Sequence, residues 1–132
     1  KEELMKNTIS DIYRCSHCGL TVEVTNPGAA PVCCGEEMVL CKENTSDGAV
    51  EKHVPVCEAN DDMVTVTVGE VEHPMLEEHS IQWIALETAN GCQIKYLKPG
   101  EAPKAIFAIL DDDEVVVVYE YCNLHGLWKT EL

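Results

Sequence analysis

Four cysteines in the first quarter of the chain are spaced like ligands of a single metal ion. Cys15 and Cys18 form a Cys-x₂-Cys pair, and the adjacent pair Cys33-Cys34 follows after 14 intervening residues. This spacing lets one tight turn aim two thiolates at one ion, and four thiolates make a tetrahedral site that suits zinc or iron. The spacing by itself leaves zinc and iron open. We expect His17, which lies between two of the ligands, to be an exposed bystander, because four thiolates already fill the coordination shell.

A second set of candidate ligands, four histidines and one cysteine, lies in the rest of the chain: His53, His73, His79, Cys122 and His125. The Cys-x₂-His spacing of the last two lets a thiolate and an imidazole from one turn bind the same ion. Neutral imidazoles suit iron, copper and zinc, and a thiolate narrows the choice to redox iron, copper or structural zinc. A blue-copper site in a β-sandwich is the main alternative. Such a site uses two histidines and a weak axial ligand such as Met, however, and no Met follows His125.

Three further cysteines, Cys41, Cys57 and Cys92, have no place in either set. We expect them to be small buried residues or free thiols, and Cys57 and Cys92 fall on predicted strands, which favours burial. The sequence leaves a Cys57–Cys92 disulfide open. Eight cysteines in a secreted protein would indicate a disulfide framework, but no secretion signal is apparent, so metal ligation is favoured.

The segments that must position these ligands follow a β pattern. Val64, Val66 and Val68 alternate with polar or flexible residues, which predicts a half-buried strand. Residues 81–86 and 92–97 flank an Asn-Gly turn typical of a β-hairpin. Further strands are predicted at 53–57, 105–110 and 115–121, and no amphipathic helix of three turns is evident. Short strands at this spacing indicate an antiparallel sandwich or barrel.

Two domains are expected, residues 1–41 and residues 42–132. The boundary rests on the polar segment Lys42–Gly48, which ends in an Asp-Gly turn signal. A chain of 41 residues is too short to fold on an apolar core alone and usually needs a metal, disulfides or a partner. The four clustered cysteines supply the metal.

The charge balance excludes some function classes. The chain has 24 acidic and 9 basic residues, a net charge of −15, and Arg14 is its single arginine. A nucleic-acid groove needs clustered cations, so nucleic acid is not an expected partner. The apolar runs, such as Ala105–Leu110 and Val115–Tyr119, are far too short for a membrane helix. We therefore expect a cytoplasmic protein without a membrane partner.

The motifs together resemble one family over nearly the whole chain. The cysteine cluster is similar to a desulforedoxin-type module. Five later segments are similar to the catalytic domain of the two-iron superoxide reductases called desulfoferrodoxins: EKHVP (51–55), EHP (72–74), EEHSIQWI (77–84), LKPGEAP (97–103) and YCNLHGLW (121–128). The resemblance implies an all-β fold, with a small metal-stapled desulforedoxin-like module at 1–41. It implies an immunoglobulin-like β-sandwich, the catalytic domain, at 42–132.

The resemblance also implies two irons per chain. One is a distorted tetrahedral centre held by Cys15, Cys18, Cys33 and Cys34. The other is a five-coordinate, square-pyramidal iron with four equatorial imidazoles and an axial thiolate, held by His53, His73, His79, His125 and Cys122. Its sixth position is open, and Glu51 and Lys52 are implied as catalytic residues beside it. Lys52 would steer superoxide and stabilise the product, while Glu51 would close the open position of the oxidised resting site.

The implied reaction is the one-electron reduction of superoxide to hydrogen peroxide without release of dioxygen, which detoxifies superoxide. The resemblance further implies a homodimer that takes electrons from rubredoxin or a similar donor. Two hypotheses about other classes of function remain open: an iron electron carrier that is not an enzyme, and a small scaffold stapled by two zinc ions.

Overall fold

The computed structural model describes residues 7–44 and 50–132. The chain divides into two compact units, Lys1–Lys42 and Glu43–Leu132, each with a core of its own. The polar segment 42–48, on which the predicted domain boundary rests, lies mostly outside the described residues.

The described part of the first unit, residues 7–42, contains five very short strands: β1 (Ile12–Arg14), β2 (Thr21–Glu23), β3 (Val32–Cys33), β4 (Glu36–Glu37) and β5 (Val39–Leu40). They form a three-stranded antiparallel sheet in the order β2-β1-β5 and a separate β3-β4 pair. Among the described residues of this unit, the hydrophobic core cluster consists of three buried residues, Tyr13, Cys15 and Met38, with a few half-buried neighbours. One of the three core residues is thus a candidate metal ligand, and apolar burial alone is a weak source of stability here.

The second unit is a β-sandwich that follows a single turn of helix, α1 (Val50–His53). Its seven strands are β6 (Pro55–Asn60), β7 (Met63–Val68), β8 (Ile81–Thr88), β9 (Cys92–Tyr96), β10 (Lys104–Ala108), β11 (Val115–Cys122) and β12 (Gly126–Glu131). One sheet has the order β10-β7-β6 and the other β12-β11-β8-β9, and every pairing is antiparallel. The predicted all-β fold with an immunoglobulin-like sandwich is confirmed.

The core lies between the two sheets. The predicted alternation on β7 buries Val64, Val66 and Val68 completely, while the residues between them are half-buried. Facing them from the other sheet are Ile84 and Leu86 of β8, together with residues of β11. Sheet packing of this kind requires period-2 burial on both inner faces, and the sequence supplies it.

An irregularity in the pairing of β8 with β11 sets the face on which Cys122 lies. Glu120 opposes Ile84, but Cys122 opposes Ile81, so one extra residue is inserted in β8. The bulge lets Ile81 and Ile84 both face the core in spite of their odd spacing, and Cys122 joins the core cluster beside them.

Antiparallel pairing brings the ligand-bearing segments to one end of the sandwich. Pro55, at the start of β6, opposes Val68, at the end of β7. Cys122, at the end of β11, opposes both Ile81, at the start of β8, and Gly126, at the start of β12. Helix α1, the segment 69–80 and the turn 123–125 adjoin these strand ends, so all of them meet there.

The structure corrects or completes several expectations from the sequence. The strand expected at 53–57 begins at Pro55, and His53 ends a helical turn closed by the Val54 N–H to Val50 carbonyl bond (3.0 Å). Strand β12 was not predicted, because Gly126 at its start obscures the alternation. No disulfide joins Cys57 to Cys92, and Cys92 is exposed rather than buried because it lies on the edge strand β9. No helix among residues 7–44 and 50–132 is long and apolar enough to cross a membrane.

Candidate metal centres

The four clustered cysteines of the first unit converge on one point. Their sulfur atoms all lie within 4.8 Å of one another, and the Cys18 and Cys33 sulfurs are 3.6 Å apart. Cys15 follows β1, and the chain then turns so that the Gly19 N–H donates to the Cys15 carbonyl (3.0 Å). Cys34 adopts a left-handed backbone conformation (φ 53°), which turns the chain sharply after β3 and allows two adjacent cysteines to reach the same point.

These thiols cannot all ionise without a cation. The backbone N–H groups of Cys18 and His17 donate to the Cys15 sulfur (3.4 Å each) and lower the pKa of Cys15 to about 6. Contacts with the Cys18 and Cys15 sulfurs raise the pKa of Cys33 to about 12, and they raise that of Cys34 as well. Ionisation of one thiol thus opposes ionisation of its neighbours. A bound divalent cation would stabilise all four thiolates together. The donor set therefore fits iron or zinc.

His17 is exposed and lies outside the group of converging sulfurs, as predicted. Its Nε2 contacts Oε1 of Glu36, a residue of β4 just beyond the second cysteine pair. This contact connects the two ligand-bearing loops on the solvent side of the cluster.

The second candidate set converges just as closely. One donor atom from each of the four histidines and from Cys122 lies within 4.8 Å of the others. His53 Nε2 is 3.2 Å from His73 Nε2 and 3.0 Å from His125 Nδ1. His73 is fixed by its Nδ1–H, which donates to the Pro74 carbonyl (2.7 Å) and leaves Nε2 free for a ligand role.

The four imidazoles form a closed square. His53 meets His73 and His125 edge-on, with ring centroids 4.7 Å apart in both cases, and His79 completes the square with the same two neighbours at 4.7 and 5.1 Å. All four interplanar angles lie between 74° and 84°. Each ring therefore stands almost perpendicular to both of its neighbours, so that one nitrogen of each points inward.

Cys122 lies on the axis of this square rather than at a corner. Its sulfur is 3.5 Å from His73 Nε2 and 3.8 Å from His125 Nδ1, two nitrogens that are diagonal to each other. Cys122 is fully buried, so it approaches from the core side. The opposite side of the square is the only direction from which a small molecule could enter along the axis.

Burial favours the neutral form of two of the imidazoles, the form in which histidine binds a metal. Desolvation lowers the pKa of His73 to about 4 in spite of its bond to Pro74, and it also lowers that of His79. Nε2 of His79 is buried, and no hydrogen-bond partner for it exists among the described residues. Burial raises the pKa of Cys122, although the backbone N–H groups of Leu124 and His125 lower it. A buried nitrogen without a hydrogen-bond partner, close to a buried thiol, fits a site in which both atoms bind one metal ion.

Glu120 is an unexpected neighbour of this set. It is fully buried two residues before Cys122, and neither carboxyl oxygen finds a partner among the described residues. Burial raises the pKa of Glu120 to about 9, so the side chain is protonated and neutral near pH 7.

Glu51 and Lys52, the two residues singled out by the sequence, lie on α1 immediately before His53, and both are exposed. Lys52 lines a cavity of about 660 Å³ together with Glu72, His73 and Glu101. Its positive charge also contributes to the lowered pKa of His79. Lys52 therefore lies within electrostatic range of two of the four imidazoles.

Gly69 fixes the position of this helical turn. Its φ of +81° is in the left-handed region, and an added Cβ would lie 2.6 Å from the Lys52 carbonyl oxygen. The neighbouring backbone is held by the Val71 N–H to Glu51 carbonyl bond (3.0 Å). Only glycine allows the chain to pass so close to Lys52.

Known protein families match both parts of the chain that carry the candidate ligands. The family model described as "Desulfoferrodoxin, N-terminal domain" matches residues 8–41, and the one described as "Desulfoferrodoxin" matches residues 45–131. The chain belongs to the desulfoferrodoxin family. A desulfoferrodoxin of Nitratidesulfovibrio vulgaris is 56% identical over 122 residues, which cover 92% of this chain and 95% of that relative.

Solved structures of family members agree with the fold. The superoxide reductase of Treponema pallidum superposes with a TM-score of 0.78 at 37% identity, covering 95% of this chain and all of that chain. The one-iron superoxide reductase of Giardia intestinalis has a TM-score of 0.53 at 33% identity, and it covers 62% of this chain and 99% of its own. Family membership and the two donor groups together establish two iron sites, one of four cysteines and one of four histidines and a cysteine.

Residues that hold the ligand-bearing segments were missed by sequence reasoning. The Asn123 side chain accepts from the Ser80 N–H (3.0 Å) and donates to the Glu78 carbonyl (3.0 Å), which joins the His79 segment to the Cys122–His125 turn. Trp128 contacts both His53 and His125. Both residues lie in the quoted motif YCNLHGLW, whose polar and aromatic members were the available signal.

We expect removal of the metal from the cysteine cluster to unfold residues 7–42, because the core of that unit is too small to compensate. The dispersion of the amide signals of this unit in a ¹⁵N–¹H correlation spectrum measures the effect. Cys18→Ser, which removes an exposed ligand, should collapse the dispersion, whereas Cys41→Ser should not. Retained dispersion in Cys18→Ser would show that the metal is not needed for folding.

We expect Gly69→Ala to destabilise the second unit by about 1–3 kcal/mol, since it combines a left-handed φ with a clash against the Lys52 backbone. Urea unfolding of the iron-loaded protein provides the measurement, and amide shifts of residues 51–53 report the displaced turn. Gly91→Ala is the matched control, because a Cβ at Gly91 meets open space. Equal stability of the two variants would contradict this account.

Proposed function

We propose that this chain is a superoxide reductase, which converts superoxide, one electron and two protons into hydrogen peroxide. The observation that carries the proposal is the square of four buried or half-buried imidazoles with a buried thiol on its axis. A one-sided axial ligand leaves the opposite side accessible, which a purely structural site does not need. Similar chains of Treponema pallidum and Giardia intestinalis are described as superoxide reductases, in agreement with this function.

We assign the ligands as follows. The iron of the second unit is held by the five residues that form the square and its axis, namely His53, His73, His79, His125 and Cys122. The iron of the first unit is held by the four clustered cysteines, Cys15, Cys18, Cys33 and Cys34. Each domain has its own role: residues 1–41 form the domain of the cysteine centre, and residues 42–132 form the catalytic domain.

The iron of the second unit supplies the single electron when it is bound in its ferrous state. Burial lowers the pKa of His73 and of His79 and so favours their neutral form, and Cys122 is the one donor of the five that binds a metal as an anion. A divalent ion with one thiolate retains a net positive charge, which favours an anionic substrate. The backbone N–H groups of Leu124 and His125 stabilise that thiolate.

Lys52 attracts the substrate. It contributes the only positive charge among the residues that line the cavity beside His73, whereas Glu72 and Glu101 line the same cavity with negative charges. The chain carries a net charge of −15, but charges beyond roughly 8 Å are largely screened at physiological salt, so the nearest cation determines the local attraction. The ammonium group also donates hydrogen bonds and orders water, which delivers protons to the product.

Glu51 has the second role at the open side of the square. It is adjacent to Lys52 on the same exposed turn, and its carboxylate is the group that would occupy the open side of the square in the absence of substrate. Its exposure leaves it free to withdraw when substrate arrives.

The remaining parts of the proposal concern the setting of the enzyme. We infer a cytoplasmic homodimer that detoxifies superoxide and receives its electrons from rubredoxin or a similar small carrier. These points rest on the resemblance described above. Rubredoxin is itself acidic, and like charges would not assist its encounter with a chain of net charge −15, so we infer that the donor docks on a local apolar patch near the catalytic iron.

The decisive experiment mixes the fully reduced protein with a known amount of superoxide and counts both products. We expect one hydrogen peroxide for each superoxide and no dioxygen. One peroxide and one dioxygen for every two superoxides would instead establish dismutation. If no superoxide were consumed above background, the chain would be an electron carrier or, if colourless, a zinc scaffold.

Replacing the proposed steering cation should slow the encounter with substrate. We expect Lys52→Ala to lower the second-order rate constant about tenfold at low ionic strength and to flatten its salt dependence. Pulse radiolysis at several salt concentrations measures both quantities. Lys95→Ala is the control, because Lys95 lies over the Phe107 ring (5.7 Å) and not in the cavity. If the two variants behave alike, Lys52 is not the steering residue.

A further inference from the structure

We propose that Trp128 is a positioning residue for the iron site of the second unit, where it fixes two of the four imidazoles at once. It contacts His53 through the face of its indole and His125 through its indole N–H. The inference rests on the proposed function only for the identity of these two ligands.

The first contact fixes the ring plane of His53. The indole and the imidazole are stacked, with centroids 5.0 Å apart and an interplanar angle of 23°, within the range of favourable offset stacking. His73 and His125 meet the same imidazole edge-on. Trp128 instead lies against a face of this imidazole. The His53 ring therefore cannot rotate without losing the stack, and its Nε2 stays directed at the centre of the square.

The second contact fixes the backbone that carries His125. The indole N–H of Trp128 donates to the His125 carbonyl at 2.9 Å. His125 presents Nδ1 to the square, whereas His53 and His73 present Nε2. Nδ1 is the ring nitrogen nearer to the main chain, so a shift of the His125 backbone moves this donor atom almost directly. A hydrogen bond to the backbone is therefore an effective way to hold it.

The surroundings make Trp128 rigid enough for this task. Trp128 is 2% exposed, and in the sheet it pairs with Glu120 of β11. β12 starts at Gly126, directly after the turn that carries His125. The side chain thus reaches back from a regular strand to the turn before it. Because the strand is rigid, the side chain can restrain two ligands that lie on different segments of the chain.

The same sandwich contains a matched aromatic pair for comparison. Trp83 stacks on Tyr121 with centroids 5.7 Å apart and an interplanar angle of 10°. Neither Trp83 nor Tyr121 belongs to the two groups of converging donors. If a large aromatic side chain merely stabilises the sandwich, replacing either tryptophan should affect the iron to a similar extent.

The test compares iron retention in Trp128→Leu, Trp128→Phe and Trp83→Leu with the unaltered, iron-loaded protein. Loss of ferrous iron to a coloured chelator is followed with time, and the iron of the four cysteines in the same chain is the internal reference. The sulfur-to-iron absorption band of the oxidised protein is recorded in parallel. Neither readout involves superoxide.

We expect Trp128→Leu to accelerate loss of the second-unit iron about 10–100-fold and to shift the absorption band, as is common for residues that orient metal ligands. Trp128→Phe keeps an aromatic face but lacks the N–H donor, so it should fall between Trp128→Leu and the unaltered protein. Trp83→Leu should retain iron within about twofold.

Two results would overturn the proposal: equal iron loss from Trp128→Leu and Trp83→Leu, or an unshifted band in Trp128→Leu. Should Trp128→Leu fail to fold by circular dichroism, Trp128→Phe decides the matter. Iron loss from a folded Trp128→Phe within twofold of the unaltered protein would then refute the proposal. A protein that depends on Trp128 for iron retention but does not reduce superoxide would overturn the proposed function alone.

Discussion

Five buried or half-buried donor atoms that need the same cation impose the main constraint on the second unit. Four imidazole nitrogens and one thiol sulfur lie within 4.8 Å of one another at the end of an apolar core. Without a metal, His79 Nε2 is left without a partner among the described residues, and burial opposes ionisation of Cys122. Buried polar groups in such an arrangement are costly unless a common partner satisfies them. One metal ion does so, and the neighbouring structure is organised around it.

The sandwich meets this constraint by bringing several strand ends together. The antiparallel order puts the start of β6, the end of β7, the start of β8, and the β11–β12 turn at the same end. Short contacts then hold the ligand segments between those strands. The Pro74 carbonyl fixes the His73 ring, and Asn123 joins the segment of His79 to the turn of Cys122. The rigid sheets thus define the square, although three of its four corners lie outside regular strands or helices.

The first unit meets a related constraint by simpler means. Its four thiols repel one another once they ionise, as the opposite pKa shifts of Cys15 and Cys33 indicate. The strands around them are only two or three residues long, so the metal replaces the core that the unit lacks. Metal binding is therefore part of folding in the first unit. In the second unit the sheets have an extensive core of their own, and the metal completes a site at its edge.

Local spacing determined a large part of this protein. The Cys-x₂-Cys and Cys-Cys pairs, the Cys-x₂-His turn, the alternating valines of β7 and the Asn-Gly hairpin all act over a few residues, so the sequence alone predicted them. The motifs also indicated the family and, with it, which histidines belong together. The start of β6 and the whole of β12 escaped because Pro55 and Gly126 mask their patterns. Only the tertiary structure decided that the imidazoles stand as a square with Cys122 on its axis, because these residues are separated by up to 72 positions along the chain. It alone also decided the roles of Gly69, Asn123 and Trp128, since each acts through contacts with distant segments, and such contacts leave no periodic signal in a sequence.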